Sequence, residues 1–157
     1  MGPSVYIETT VISYLTARPS KDLVQRAHQR LTQTWWRTRR SQFELYVSPL
    51  VLQEAAAGDP IRARHRLALV RNLPVLGPSP DAVRLARALM NRGPIPKKAE
   101  VDALHIAIAA VHGIEYLLTW NCTHIANARM RSEIESVCRD DNYEPPVLCT
   151  PEELMEE

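Results

Sequence analysis

The segment Ala99–Ile125 constrains the fold of this chain more than any other stretch. Residues 100–112 are apolar around most of the helical circumference, which predicts a helix buried on nearly all sides. Gly113 ends that helix, and the mostly apolar run 114–119 follows it. A short apolar run bounded by turn signals is typical of a central strand in a parallel sheet. The segment therefore predicts a helix–strand unit at the centre of an α/β fold.

Polar side chains lie at both ends of this unit. Asp102 opens the helix, and Asn121 and His124 directly follow the strand. Because open parallel sheets bind their ligands at the carboxyl ends of the strands, this arrangement predicts chemistry at that edge.

The rest of the chain alternates predicted strands with predicted helices. Runs rich in β-forming residues predict strands at 4–8, 44–47, 74–76 and 147–149. Capping residues, several followed by proline, predict helices at 11–15, 20–39, 49–58, 61–72, 80–91 and 129–139. Alternation of this kind predicts one α/β sandwich domain, residues 1–157, with right-handed crossovers and a parallel sheet of about five strands.

Two further acids are predicted to lie near the same edge. Glu8 ends the first strand and is followed by Thr9 and Thr10, and Glu54 lies in a helix among small apolar residues. Clustered carboxylates without a cationic partner repel one another, and a hard divalent cation, Mg²⁺ or Mn²⁺, would relieve that repulsion. A chain with only five glycines contains neither glycine-rich phosphate loop, and it has no G-x-S-x-G elbow.

The long helix at 20–39 is predicted to begin at an N-cap, Ser20, and to bury one stripe. The stripe repeats every four residues and consists of Leu23, Ala27, Leu31 and Trp35. Basic residues occupy another face at Arg26, Arg30 and Arg37, which is either a solvated face or a phosphate-binding stripe. Trp36, beside Trp35, is predicted to cover an interface.

Charge is distributed unevenly along the chain. Residues 1–98 contain 16 of the 19 Lys and Arg residues and six acids, a net charge of +10, whereas residues 99–157 have three basic and 12 acidic residues, a net charge of −9. Such asymmetry indicates either an anionic partner or pairing between the two parts of the chain.

The three cysteines show no C-x-x-C spacing and no run of residues is apolar enough for a membrane helix, so we expect a cytoplasmic protein.

Taken in order, these segments resemble the motifs of PIN-domain proteins, and of the VapC-like toxins of bacterial type II toxin–antitoxin systems in particular. VYIETTVISYL is similar to the first motif, a strand that ends in an acid followed by hydroxyl residues. SPLVLQEA is similar to the second, and VDALHIAIAAVHGIEYLLTWNCTHI to the last two. The resemblance covers nearly the whole chain, and it implies a PIN-like three-layer α/β/α sandwich.

The resemblance also implies a set of site residues and a reaction. Glu8, Glu54 and Asp102 would be the metal-binding carboxylates, Asn121 would take the fourth position, and Thr9 or Thr10 would support the metal. The implied reaction is metal-dependent hydrolysis of RNA phosphodiester bonds, with an antitoxin as partner and a homodimer as the usual assembly. Glu8 replaces the usual Asp, and Asn121 is neutral where many members have Asp.

The remaining alternatives concern these departures and two histidines. A PIN domain that binds RNA or protein without cutting would tolerate both departures, and a metal-independent enzyme would use the acids for acid–base chemistry. His105 is predicted to be a packed helix residue rather than a ligand, and His124 is predicted either to pack nearby or to contact substrate or the metal ligands. The arginines Arg26, Arg30 and Arg37 are candidate substrate-binding residues.

Overall fold

The computed structural model describes residues 2–155, so Met1, Glu156 and Glu157, the ends of the predicted domain, lie outside the described residues. The strands are β1 (Ser4–Ile7), β2 (Glu44–Tyr46), β3 (Tyr116–Leu118) and β4 (Val147–Cys149). The helices are α1 (Thr9–Thr16), α2 (Leu23–Thr38), α3 (Pro49–Ala55), α4 (Pro60–Val70), α5 (Pro80–Asn91), α6 (Glu100–Val111) and α7 (Ala128–Asp140). No helix in residues 2–155 is both long and apolar enough to cross a membrane.

All the strand pairs are parallel, in the order β2-β1-β3-β4. The sheet therefore has four strands in the described chain, where about five were predicted. The missing one, at 74–76, makes only an isolated parallel bridge between Val47 and Val75. Since Val75 is half exposed and lies between Pro74 and Gly77, this run is too short and too loosely packed to extend the ladder.

Helices flank this sheet as the predicted sandwich requires. Helix α1 packs against α2, α3 and α4, and α5 packs against α6 and α7. Helix α6 supplies much of the core, since residues 105–110 are all buried. The predicted central helix–strand unit is therefore confirmed, because α6 leads through Gly113, at φ 69°, into β3.

Proline and hydroxyl or Asp caps begin three helices where the sequence predicts them. The side chains of Ser48, Asp59 and Ser79 accept hydrogen bonds from backbone amides of α3, α4 and α5, each of which has proline in its first turn. The predicted cap of α2 is wrong by two residues. Asp22 accepts the bond from Gln25 N at 2.9 Å, while Ser20 Oγ accepts from Asp22 N.

The predicted buried stripe of α2 is confirmed at Trp35 and, in part, at Leu31, which packs against the core, but it is wrong in its first half. Leu23 is 83% exposed and Ala27 is exposed, whereas the buried positions are Gln29, Thr32 and Trp35. The inward face contains polar residues because each finds a partner: Gln29 bonds the backbone of Ser20 and Arg18, and Thr32 Oγ1 accepts from Trp120 Nε1 at 2.7 Å. Because their hydrogen bonds are satisfied, these two polar side chains can be buried on the same face of α2 as Trp35.

Candidate metal centre

Glu8 lies where β1 becomes α1, at the carboxyl edge of the sheet. Its backbone N–H donates to Leu118 O at 3.1 Å, which continues the ladder with β3, and it occupies the N-cap position of α1. Its side chain makes no capping bond. Instead Glu8 Oε1 accepts hydrogen bonds from Thr10 Oγ1 at 2.5 Å and Thr119 Oγ1 at 2.6 Å. The carboxylate, only 4% exposed, is therefore held by a hydroxyl from each of two elements.

The two hydroxyls are themselves oriented by the chain that leaves β3. Thr10 Oγ1 accepts from Trp120 N at 2.8 Å, and Thr119 Oγ1 accepts from Asn121 N at 2.9 Å. Because each hydroxyl oxygen receives a backbone N–H, its own proton is directed to Glu8. The turn after β3 therefore fixes a carboxylate that follows β1.

Glu54 approaches from α3 and is held in a similar way. Glu54 Oε1 lies 2.6 Å from Thr9 Oγ1, a donor, and 2.8 Å from His105 Nε2. Burial raises the pKa of Glu54, but the hydrogen bonds from His105 and Thr9 lower it, and the net shift puts the pKa below its ordinary value. Glu54 is therefore ionised at neutral pH.

His105 reaches this site from α6, one helical turn after Asp102. Its side chain is fully buried, as the sequence predicts, but it is not packed only against apolar groups. The two ring nitrogens lie 2.8 Å from Glu54 Oε1 and 2.7 Å from the Tyr6 hydroxyl. Burial raises the pKa of Tyr6 well above its usual range, and the charges of Glu8 and Glu54 add to the rise, although the bond to Ser48 lowers it.

Glu8, Glu54 and His105 form a group whose candidate ligand atoms all lie within 4.8 Å of one another. Each carboxylate has one oxygen, Oε1, that receives two protein hydrogen bonds. Within the described chain no donor bonds either Oε2. Two fixed carboxylates with one unbonded oxygen each fit a hard divalent cation, which takes oxygen ligands and relieves their repulsion. We call Glu8, Glu54 and their hydrogen-bonding partners the carboxylate half of the site.

Asp102 and Asn121, the other two predicted ligands, do not join that group in the described structure. Asp102 Oδ2 lies 2.9 Å from His124 Nδ1. Asn121 Oδ1 accepts from the backbone N–H of Thr123 at 3.2 Å and of His124 at 3.0 Å. These contacts build the turn after β3, and we call Asp102, Asn121 and His124 the turn half of the site.

The predicted basic and aromatic surfaces lie on α2. Arg26, Arg30 and Arg37 are all exposed, and within residues 2–155 no ion pair joins them to the acidic C-terminal part of the chain. The two neighbouring tryptophans of α2 differ in exposure. Trp35 is fully buried and donates from Nε1 to Leu154 O at 3.1 Å, whereas Trp36 is partly exposed and lies under the Arg40 guanidinium.

A second group of arginines lines an open cleft between α1 and α4. The cleft has a volume of about 730 Å³ and is lined by Arg18, Arg62, His65 and Arg66 among others. Arg62 donates to Thr16 O at 2.6 Å, and Arg66 donates to the carbonyls of Ala55 and Ala57. These two side chains therefore tie α4 to the ends of α1 and α3.

A parallel sheet with acids at its carboxyl edge and a group that can hold a metal define a class of α/β metal-site proteins. Comparison with protein families matches residues 5–121 to the PIN domain. The chain therefore belongs to the PIN-domain family, whose members are generally nucleases that use divalent metals. A comparison with curated proteins finds no match.

The fold is also similar to a solved structure, "Crystal structure of VapBC2 from Rickettsia felis bound to a DNA fragment from their promoter". The matched chain has a TM-score of 0.54 and 15% identity, and the match covers 76% of this chain and 89% of that chain. At this identity the likeness shows the fold alone. It agrees with the predicted PIN-like α/β architecture.

Two residues of the site are not identified by reasoning from the sequence. The local pattern indicates only a strand end at Thr119 and a packing residue at His105. The spacing of His105, three residues after Asp102 on α6, puts both on one helix face and is the available signal. Thr119 is the threonine of a T-x-[DN] pattern at the strand end, but that pattern does not identify its partner Glu8, which lies 111 residues away in the chain.

Proposed function

We propose that this chain is a metal-dependent ribonuclease, with Mg²⁺ or Mn²⁺ as its cofactor. The observation that carries the proposal is the carboxylate half of the site, in which Glu8 and Glu54 converge. Their Oε1 atoms accept hydrogen bonds, and their Oε2 atoms have no donor in the part of the chain that the structure describes. Carboxylate oxygens that converge and have no donor are the ligands that a hard divalent cation takes, and the cation would relieve the repulsion between the two charges.

The residues would have separate tasks in the reaction. Glu8 and Glu54 would hold the ion, and Asp102 is proposed as the third carboxylate. A bound divalent ion lowers the pKa of an attacking water and neutralises charge on the phosphoryl oxygens. His124, whose Nδ1 is fixed by Asp102, is proposed to contact the substrate through Nε2.

Cleavage of RNA by the purified protein tests this proposal against its alternatives. We expect cleavage with Mg²⁺ or Mn²⁺, its loss on chelation, and its loss in Asp102→Asn. RNA binding without cleavage under all these conditions would favour the binding module that Glu8 and Asn121 suggest. Cleavage unaffected by chelator would favour metal-independent acid–base chemistry.

Substrate phosphates require positive charge around the acids rather than among them. The exposed residues Arg26, Arg30 and Arg37 on α2 are the proposed contacts. Replacing Arg26 and Arg30 with Gln should weaken RNA binding and make its salt dependence shallower, by roughly one unit of slope for each phosphate that is no longer neutralised. The matched control is Arg84→Gln with Arg87→Gln, an equal charge loss on α5. An unchanged slope with a lower melting temperature would show a structural role.

We further propose that the chain is the toxin of a toxin–antitoxin pair. The sequence resemblance to VapC-like toxins supports this, as does the likeness of fold to the chain from VapBC2. A neighbouring gene for a small DNA-binding protein, together with co-purification of the two products and growth arrest when this chain is expressed alone, would test it. Normal growth on expression of a protein shown to be folded would contradict the toxin role.

A homodimer in the cytoplasm is the proposed state of the free protein. Since Trp35 is buried, the partly exposed Trp36 is the proposed aromatic contribution of α2 to such an interface. Light scattering at micromolar concentration tests the assembly. A strictly monomeric mass would contradict it without affecting the proposed metal site.

A further inference from the structure

A network of hydrogen bonds extends from the start of α3 through the core to Glu54. Val51 N donates to Ser48 Oγ at 3.3 Å, Ser48 Oγ lies 2.7 Å from the Tyr6 hydroxyl, and that hydroxyl lies 2.7 Å from His105 Nδ1. His105 Nε2 lies 2.8 Å from Glu54 Oε1. Ser48, Tyr6 and His105 each have a relative exposure of 0%.

The direction of these bonds follows from counting donors and acceptors. Glu54 is ionised and can only accept, so Nε2 of His105 carries a proton. The Ser48 oxygen already accepts from Val51, and its own proton has an acceptor only if it is given to Tyr6. The Tyr6 hydroxyl then donates its proton to His105 Nδ1, so His105 is the neutral tautomer with its proton on Nε2. Every donor and acceptor of the network is then paired.

This network of hydrogen bonds links more elements of the fold than a simple core contact does. It begins at the N-cap of α3 and returns to α3 at Glu54, after crossing β1 at Tyr6 and α6 at His105. A core position such as Tyr6 could be filled by Phe at no loss of apolar packing. Three fully buried polar side chains are favourable only as a complete network, which is also rigid.

We propose that His105 is a positioning residue, oriented by Tyr6 and Ser48, that holds the Glu54 carboxylate in the geometry in which it binds the metal. This inference rests on the proposed metal site and adds to it the residues that prepare it. Ligation by His105 itself would require Nε2 to release Glu54, and the ring has no exposed surface through which an ion could reach it. Groups that orient metal ligands in this way typically change metal affinity by about 10–100-fold when removed.

Titration of the purified, metal-free protein with Mn²⁺, followed by EPR, tests the proposal without any activity measurement. We expect His105→Phe to bind Mn²⁺ about 10–100-fold more weakly than the native chain. His105→Gln should recover much of that affinity, because the Gln amide N–H lies the same number of bonds from Cβ as Nε2. Tyr6→Phe, which removes only the hydroxyl, should weaken binding by about 10-fold, and Tyr116→Phe in β3 is its matched control.

Three outcomes would overturn the inference. Equal loss in His105→Gln and His105→Phe, or unchanged affinity in a folded Tyr6→Phe, would leave only a packing role. A nitrogen coupling to Mn²⁺ in pulsed EPR of the native protein, absent in His105→Gln, would make His105 a ligand instead. Failure of the native protein to bind Mn²⁺ would refute the proposed metal site itself, which is a different result from normal binding that the variants do not change.

Discussion

The carboxylate half and the turn half of the site lie at the same edge of the sheet, yet they are organised in opposite ways. In the carboxylate half, four side chains donate to one oxygen of each acid, and the other oxygen has no partner among residues 2–155. The donors are Thr9, Thr10, Thr119 and His105. In the turn half, the Asn121 side chain accepts hydrogen bonds from the backbone of Thr123 and His124, and the Asp102 carboxylate contacts the His124 ring.

The two halves therefore differ in what they offer a proposed metal ion. The carboxylate half has ordered acids, each with one oxygen that has no donor in the described chain, whereas the acceptors of the turn half already have protein hydrogen bonds. Glu8 and Glu54 are fixed by the fold, so at the proposed site an ion would meet two ordered carboxylates, which would lower the cost of ordering the ligands. Asp102 must exchange or share its contact with His124 before it can ligate. We therefore expect the first half to determine affinity and the second to matter more for the reaction.

The largest expected effect is the loss of metal binding on removal of one fixed carboxylate. Glu54→Gln should weaken Mn²⁺ binding by more than about 100-fold, since losing a ligand costs more than losing a group that orients one. Asp102→Asn should retain most of the Mn²⁺ affinity and still abolish cleavage. Glu44→Gln, an exposed acid on β2, is the control for lost charge. Equal losses in Glu54→Gln and Asp102→Asn would remove the distinction between the two halves.

A smaller effect on Mn²⁺ affinity is expected on removal of the Thr119 hydroxyl, which lies just after β3 and donates to Glu8. Thr119→Val keeps the shape of the side chain but deletes the donor to Glu8 Oε1 and the acceptor for Asn121 N. Mn²⁺ affinity, measured by isothermal titration, should fall by about 10-fold. Thr123→Val, an exposed threonine in the same turn, should leave it unchanged. Unchanged Mn²⁺ affinity in Thr119→Val would show that the hydrogen bond from Thr10 alone suffices to hold Glu8.

A still smaller effect on binding is expected in the turn half. His124→Asn retains a side-chain N–H for Asp102 but removes Nε2, so Mn²⁺ affinity should change by less than about threefold, well below the range for groups that orient ligands. RNA turnover with saturating metal should fall more than the affinity does. Loss of metal binding equal to that of Thr119→Val would place His124 with the carboxylate half.

The smallest expected effect concerns stability in acid. The folded-state pKa of Glu54 lies below its ordinary value of 4.5, so the ionised group stabilises the metal-free fold. That contribution is fully present above the unfolded pKa and is lost as the pH falls through the folded one. The melting-temperature advantage of the native chain over Glu54→Gln, measured with chelator, should therefore shrink as the pH is lowered below about 4.5. An advantage that grows in acid would contradict this charge state.

The sequence by itself determined the features that depend on neighbouring residues. The alternation of strands and helices, the cap-and-proline starts of α3, α4 and α5, and the placement of Glu8 at the end of β1 all follow from local patterns. Family membership, and with it the choice of Glu8 and Glu54, also follows from motifs that are short and local. Hydrophobic periodicity and caps act over a few residues, so they can be read without the fold.

Only the tertiary structure decided which polar groups meet. It left Leu23 and Ala27 of α2 exposed and gave the buried Thr32 and Gln29 their hydrogen-bond partners. It also paired Thr119 with Glu8 across 111 residues and His105 with Glu54 across 51. A hydrogen bond depends on two groups being brought within about 3 Å, and no local pattern records a partner so distant in the chain. For that reason the sequence named the two carboxylates, and only the packing of β1, α3 and α6 showed what holds them.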